Sequence, residues 1–415
     1  MTRLKRKRFY VLALIFAGLA WILWPIYGFL SNQYETVRLP WGWVELPAEA
    51  PIGTSHVKPA YIEAGEKGTE ILETRRAKIG APSLSAAISV NGELVWANAV
   101  GWENVSQNKA ASHETIYRIG STSKAVMATG LARLVAEGAM NLDAPISTYA
   151  KDLPNPDWNE LTPRQLISHT AGLPAYEENN DWVGFYHSLA LRHHFEDPKA
   201  SLSVFDGADL LYEADTQFHY SGYDNILLSA VMQDAAKEPF NALMTSRIFA
   251  PNKLTALQPE NDLPDKAVSY QTKGSKVKPW RSVNLSHKLA AGGYASTPSD
   301  LAILGAAWLD DGFIPADIRK EFWTPLPISN DQDYALGFRR KTWSIKGVGD
   351  VEHLNHGGVS KGAQCWLMII PEHNMTVAIS INRRTENFSD FASVAFDLLE
   401  VFIPASEQAE PDLNP

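Results

Sequence analysis

The chain of 415 residues is poor in cysteine, and its single thiol, Cys365, excludes an intrachain disulfide. Cys365 opens an apolar run that ends at Ile370, so we expect a buried structural thiol and not a nucleophile. One cysteine is compatible with either redox compartment. The sequence also lacks low-complexity tracts and internal repeats, which indicates one large globular domain or two closely packed ones.

Positive charge is scarce in the body of the chain. The formal net charge is −10, and five of the 37 basic residues precede the first apolar run, so the remainder is more acidic still. Such a chain is a poor partner for nucleic acid and for anionic lipid. His187, His193, His194 and Glu196 lie close together in the sequence but fit no standard zinc spacing. We therefore expect neither a nucleic-acid partner nor a metal.

One long apolar run stands near the N-terminus. Residues 9–30 carry no charge, follow five basic residues and are numerous enough to span a bilayer. The pattern predicts a cytoplasmic basic tail over 1–8, a single transmembrane anchor over 9–30 and a linker over 31–58, with the body periplasmic or extracellular. A signal peptide cleaved after Ala20 is the alternative, although residues 21–30 would then remain as an exposed apolar end.

Periodicity predicts sheet at both ends of the body and helix in its middle. The predicted elements are a helix over 61–76 that ends near Gly80, strands over 84–90 and 94–100 joined by Asn91-Gly92, strands over 364–370 and 376–381, and a closing helix from Phe388. Residues 404–415 are polar and contain proline, which predicts a disordered tail. We expect an α+β fold: one mostly antiparallel sheet flanked by helices, a mainly helical subdomain, and an active site in the cleft between them.

The pattern Ser121-x-x-Lys124 is the strongest indication of chemistry. It opens an apolar helical run, so Ser121 would lie at a helix start with Lys124 one turn on, on the same face. A serine beside an amine, at the positive end of a helix dipole, is the minimum for an acyl-transfer site. Ser-x-x-Lys pairs also begin at Ser55, Ser106 and Ser275, but no apolar helix follows them. On these features alone, a helix-capping serine is an equal alternative.

Later segments supply further motifs in a set order. They are the segment 161–174, the tyrosine motif Tyr220-Ser221-Gly222, the Gly-Gly segment 291–301, and the glycine-rich motif His356-Gly357-Gly358-Val359, expected as a turn that enters a strand. With the Ser-x-x-Lys pattern, this order resembles the penicillin-binding-protein and class C β-lactamase superfamily of serine hydrolases. The resemblance implies a serine hydrolase domain over residues 59–403.

The resemblance also implies a role for each matched residue. Ser121 would be the nucleophile, with Lys124 helping to move its proton. Tyr220 is a candidate general base that also protonates the leaving group, and whether the lysine or the tyrosine takes the proton stays open. The backbone N–H groups of Ser121 and Val359 would form the oxyanion hole. His356 would complete the catalytic set.

Two positions depart from the pattern of the penicillin-recognising members. The resemblance implies that Gly222 and Gly358 both line the substrate site. At the position of Gly222, many relatives have an asparagine, and the side-chain amide of that asparagine binds a substrate acylamide. His356 stands where many members carry lysine, and a neutral imidazole holds a carboxylate less well than an ammonium. Both changes favour an esterase or peptidase over an efficient β-lactamase.

The sequence therefore predicts a membrane-anchored serine hydrolase that acts through an acyl-enzyme on a small ester, a peptide or a cell-wall peptide. No metal or organic cofactor is implied. A catalytically silent relative that binds peptidoglycan or a protein partner is one alternative, and a weak true β-lactamase is another. His169 is expected to be structural, holding the turn before Gly172, and residues 176–211 form either a lid or a variable surface excursion.

Overall fold

The structure is a computed structural model that describes residues 3–33, 41–184, 194–263, 265–281 and 284–409. The strands are β1 (Val44–Glu45), β2 (His56–Val57), β3 (Ser83–Val90), β4 (Glu93–Asn104), β5 (Lys109–Ala110), β6 (Tyr117–Arg118), β7 (Gln258–Pro259), β8 (Tyr270–Lys273), β9 (Lys276–Pro279), β10 (Tyr294–Ser296), β11 (Arg339–Ile345), β12 (Gly349–Ser360), β13 (Ala363–Ile370) and β14 (Met375–Ile381). The α-helices are α1 (Arg3–Gln33), α2 (Ile62–Ile79), α3 (Ser123–Ala136), α4 (Pro163–Ile167), α5 (Pro198–Ser201), α6 (Gly222–Ala236), α7 (Phe240–Met244), α8 (Pro298–Ala307), α9 (Ala316–Phe322) and α10 (Phe388–Ala409).

The two ends of the body share one antiparallel sheet, as the sequence predicts. Its strand order is β11-β12-β13-β14-β3-β4-β2, and the pairing of β14 with β3 joins the C-terminal hairpin to the N-terminal one. The turn between β3 and β4 has positive φ at both Asn91 (52°) and Gly92 (80°), the backbone that a tight hairpin of this twist requires. Helix α2 ends at Gly80 in the left-handed conformation, which confirms the predicted stop.

Both faces of the sheet are buried, because successive strand residues point to opposite sides. On β13, Met368 packs in the core formed with α2 and α10, whereas its neighbours Leu367 and Ile369 pack in the core formed with α3, α6 and α8. Segments between β6 and β10 are mainly helices and turns, and they build the second half of that larger core. The result is a sheet with helices on both faces and a helical subdomain on one of them.

The prediction of a linker over residues 31–58 is wrong for the part of that segment that pairs with the sheets. Strand β1 pairs with β9, and β2 pairs with β4, so residues 44–57 contribute to the fold. Each of these strands has only two residues, which is too short for any hydrophobic periodicity to reveal. Residues 34–40 lie outside the described ranges.

The predicted disordered tail over 404–415 is wrong for its first part. Helix α10 continues to Ala409 with Pro404 inside it. The helix remains in contact with the core beyond the predicted boundary, since Ala405 and Ala409 pack against the core and Ser406 is buried. Residues 410–415 lie outside the described ranges.

The N-terminal helix α1 begins within the predicted basic tail and runs through the predicted anchor. Its stretch Arg6–Trp24 has a mean hydropathy of 1.5 and is long and apolar enough to cross a membrane, a test that a signal sequence also passes. Arg281 Nη2 donates a 2.7 Å hydrogen bond to the hydroxyl of Tyr27, so the distal part of α1 touches the body of the protein beside β9.

Candidate active site

Ser121 lies at the base of a cleft between the sheet and the helical subdomain. It sits in a 3₁₀ turn, Gly120–Thr122, that leads directly into α3, as the sequence predicts. Gly120 has φ of +50°, a conformation that a residue with a side chain rarely adopts. This turn exposes Ser121 to the cleft, while the first ten residues of α3, Ser123–Ala132, are buried.

Lys124 reaches Ser121 from one turn further along the helix. Its Nζ lies 3.4 Å from Ser121 Oγ and donates a 2.9 Å hydrogen bond to the carbonyl oxygen of Ala291. The side chain is 2% exposed, so its ammonium is held by protein groups and not by bulk water. Ala291 belongs to the predicted Gly-Gly segment, which the fold therefore brings to the site.

Tyr220 stands next to Lys124, immediately before helix α6. Lys124 Nζ lies 4.7 Å from the centre of the tyrosine ring. The following residue, Ser221, caps the helix: its Oγ accepts from Tyr223 N and donates to the carbonyl of Pro174 at 2.6 Å. These two hydrogen bonds fix the backbone that carries Tyr220. The sequence correctly predicts that an apolar helix follows this tyrosine.

Strand β12 forms the opposite wall of the site, and glycine allows its close approach to α3. A Cβ at Gly358 would lie 2.8 Å from Thr122 N and closer still to Ile119 O. A Cβ at Gly120 would likewise lie 3.0 Å from Val359 N. The peptide of Val359 therefore passes directly beside the Gly120–Thr122 turn.

His356 is where the structure departs from the prediction. The motif lies inside β12 and is not a turn that enters a strand; the turn comes later, at Gly362. His356 is fully buried and is not among the residues that line the cleft, so it does not reach a bound carboxylate there. Its Nε2 lies 3.2 Å from the hydroxyl of Tyr334. Burial, with the charges of Arg339 and Lys124, holds the pKa of His356 well below its usual value, so the ring is neutral.

A second buried histidine packs against the back of Tyr220. The rings of His169 and Tyr220 have centroids 4.4 Å apart, and His169 Nδ1 lies 2.6 Å from Asp224 Oδ2. Burial lowers the pKa of His169 and raises that of Asp224, which favours the neutral form of each group. The carbonyl of His169 also accepts from His219 N at 2.9 Å. These contacts agree with a structural role in the turn that supports the tyrosine.

Several cleft residues escape the sequence analysis. They are Ala175, Tyr176, Glu177, Leu285, Lys288, Ser360, Lys361 and Arg384, which line the cleft of ≈ 330 Å³ together with Ser121, Lys124, Tyr220, Gly222 and Val359. The prediction that Gly358 lines the substrate site is wrong, because this glycine is buried against the start of α3. They come from loops and strand ends with no pattern that marks them in the sequence. Four ammonium or guanidinium groups and one carboxylate are among the lining side chains, so the cleft is positive although the chain is acidic.

No group of three or more His, Cys, Asp or Glu side chains close enough to hold a metal occurs in the described ranges. Of the histidines weighed as a cluster, His187 and His193 lie outside those ranges, as does the middle of the excursion over 176–211. His194 contributes to a small separate cavity with Glu196 and Asp197. The main cleft holds Ser121, Lys124 and Tyr220 close together.

The fold and the cleft together define an α+β protein of the β-lactamase and transpeptidase type, with a Ser-x-x-Lys pair at the centre. The Beta-lactamase family profile matches residues 69–401, and the chain belongs to this family of β-lactamase-related serine hydrolases.

A curated relative and two solved structures are similar to the chain. The human "Serine beta-lactamase-like protein LACTB, mitochondrial" is 25% identical over 407 residues, which cover 77% of this chain and 74% of that protein. D-amino acid amidase from Ochrobactrum anthropi SV3, complexed with L-phenylalanine amide, superposes with a TM-score of 0.66 at 20% identity over 82% of this chain and 98% of that one. A class C beta lactamase from Rhodobacter sphaeroides gives 0.62 at 17% identity, over 81% and 99%. Both structures share the fold.

Proposed function

We propose that this protein is a membrane-anchored serine hydrolase that forms an acyl-enzyme on Ser121 and hydrolyses an ester or amide. The observation that supports this most directly is the Ser121–Lys124 contact of 3.4 Å at the base of an open cleft. Tyr220 beside the lysine and the Val359 peptide beside the nucleophile turn supply the remaining groups that acyl transfer needs.

The proposed reaction has two halves. Ser121 Oγ attacks the substrate carbonyl carbon while its proton passes to Lys124 or Tyr220, and the carbonyl oxygen becomes an oxyanion bound by the N–H groups of Ser121 and Val359. The intermediate collapses, the leaving group takes up the proton, and an acyl-enzyme remains. Water then attacks the acyl carbon with the same groups as base, and Ser121 recovers its proton as the acid product departs.

The buried contacts give this scheme a physical basis. Serine is a poor nucleophile unless a neighbour accepts its proton. Lys124 is fixed by the Ala291 carbonyl, and Tyr220 is fixed by the Ser221 cap and by the His169 ring behind it. Groups held in this way lose little entropy on reaching the transition state.

The substrate preference follows from the cleft walls. With glycine at 222 and a neutral His356 outside the cleft, two contacts expected for penicillin-like substrates are missing. We therefore propose a small ester or a peptide as substrate, with a β-lactam as a poor one. The body of the protein would lie on the periplasmic or extracellular side, with α1 as the anchor.

Labelling with a fluorophosphonate, followed by mapping of the modified peptide, tests the proposal. Ser121→Ala should abolish both labelling and turnover of a 4-nitrophenyl ester. Lys124→Met and Tyr220→Phe should each reduce acylation by about 10² to 10⁴, the usual scale for loss of an acid–base group. Ser106→Ala is the matched control, because Ser106 opens an exposed Ser-x-x-Lys pair outside the cleft.

The outcomes separate the proposal from its rival. Label on another serine, or label that persists in Ser121→Ala, would contradict the assignment of the nucleophile. Wild-type protein that folds but neither labels nor turns over any ester would favour a catalytically silent binding protein.

A further inference from the structure

Tyr176 fills the space that a side chain at position 222 would occupy. A Cβ on Gly222 would lie 3.0 Å from Tyr176 Cε1 and closer still to Cζ and Oη. The phenol is held by an edge-on contact with Tyr223, at 5.0 Å between ring centroids and 88° between planes. The glycine therefore makes room for a phenol, and a polar group remains at this position although the asparagine is absent.

Lys288 lies over the same phenol. Its Nζ is 5.2 Å from the centre of the Tyr176 ring, and both residues line the cleft. Across the part of the chain that the structure describes, no hydrogen bond or ion pair satisfies this ammonium. The nearby carboxylate Glu260 is already paired with Arg118 at 2.6 Å. A half-buried ammonium whose contact is an aromatic face keeps its N–H donors available for a ligand.

The surroundings favour a negatively charged ligand at this point. Lys361 and Arg384 lie on the same cleft, whereas Glu177 is its one lining carboxylate among the described residues. Burial holds the pKa of Tyr176 well above its usual value, so its hydroxyl stays protonated and can donate. An ammonium and a phenol that share one site are a suitable pair for the two oxygens of a carboxylate.

We propose that Lys288 and Tyr176 form a subsite for a carboxylate on the acyl part of the substrate. The inference rests on the proposed function. The acyl side is assigned because position 222 is where the family resemblance implies contact with a substrate's acylamide. The substrate class is then an ester or amide whose acyl group carries a second carboxylate, such as a dicarboxylic acid monoester or a peptide with an acidic residue on the acyl side.

The test compares two esters with the same leaving group and chain length. Mono-4-nitrophenyl adipate carries the acyl carboxylate, and 4-nitrophenyl hexanoate lacks it. Wild-type protein should show a kcat/KM about 10- to 100-fold higher for the adipate, the scale of one charge-assisted contact. Lys288→Met should abolish that ratio, Lys288→Arg should largely retain it, and Tyr176→Phe should lower it about 2- to 10-fold.

The control is Lys346→Met, which removes one positive charge at an exposed position outside the cleft and should leave the ratio unchanged. Fluorophosphonate labelling of Ser121 is measured on every variant, so loss of preference is separated from loss of catalysis. Equal rates for both esters with intact labelling would overturn the subsite and leave the proposed function standing. No turnover of either ester with no label on Ser121 would instead refute the proposed function. A preference for the carboxylate only when it is placed on the leaving group, as in 3-carboxyphenyl hexanoate, would also overturn the acyl-side subsite.

Discussion

Substitution of Gly358 by alanine should disable the site through the backbone alone. The added methyl would lie 2.8 Å from Thr122 N and closer still to Ile119 O, whereas an ordinary contact needs at least 3.4 Å. Both neighbours are backbone atoms at the start of α3, so neither can rotate away. Strand β12 must therefore retreat from the Gly120–Thr122 turn by roughly 1–2 Å, and the Val359 peptide moves with it.

That displacement should be costly for catalysis and modest for stability. A shift of about 1 Å in a positioned group can reduce turnover about 10²-fold. The strain of an overpacked contact costs about 1–3 kcal/mol, which a domain of this size can tolerate. We therefore expect Gly358→Ala to fold, to unfold at a slightly lower temperature and to lose about 10²-fold or more in kcat.

The neighbouring glycine provides the control. Alanine at Gly357 points to the other face of β12, where it meets the far end of the Phe388 side chain, which can move. Gly357→Ala should keep most of its activity while losing some stability. The assay is ester turnover together with thermal unfolding by circular dichroism. Equal activity in the two variants would refute the argument that backbone proximity of β12 and α3 sets the oxyanion site.

Three further predictions follow from the structure. Burial, with the neighbouring charges of Lys124, Lys361, Arg118 and Glu260, lowers the pKa of Lys288 to about 8. The ratio of adipate to hexanoate turnover should therefore fall as pH rises through about 8, because the lysine loses its charge. A ratio that is constant from pH 6.5 to 9.5 would contradict a charged lysine in the subsite. Burial raises the pKa of Cys365 to about 12, so the thiol should resist a maleimide in the native protein and react after unfolding in guanidinium chloride. Rapid labelling of the native protein would contradict this prediction. Full-length protein should remain with membranes in high salt and be released by detergent, since α1 carries an exposed apolar stretch, and recovery in the salt wash would argue against an anchor.

Local chemistry explains which parts of the fold were predictable. The hairpin at Asn91-Gly92, the stop at Gly80 and the turn-to-helix start at Ser121 depend on a few adjacent residues, and all agree with the structure. The sequence also predicts that the two hairpins share one sheet, but only the structure shows that β14 pairs with β3. The two-residue strands β1 and β2 were not, since their pairing is decided by distant backbone groups.

The site residues also fall into those that local sequence motifs predict and those that only the folded structure brings together. Ser121, Lys124 and Tyr220 belong to motifs within or beside helices, so their spacing carries the signal. Tyr176 and Lys288 meet only through folding and lie in irregular segments, so no periodicity marks them. The sequence shows that position 222 has no side chain, but only the structure shows that Tyr176 occupies that space. The buried position of His356 likewise depends on the strand alternation of β12.

With α1 as the proposed anchor, the pairing of β1 with β9 also limits how far the body of the protein can lie from the membrane. Ten residues separate Gln33, the end of α1, from Val44, the start of β1. A fully extended chain of that length spans at most about 35 Å. With α1 in a bilayer, the cleft searches a thin layer above one membrane face, and a substrate attached to that face meets it at a high effective concentration. A modest intrinsic affinity would then suffice for membrane-bound substrates, whereas a freely diffusing ester gains nothing from the tether.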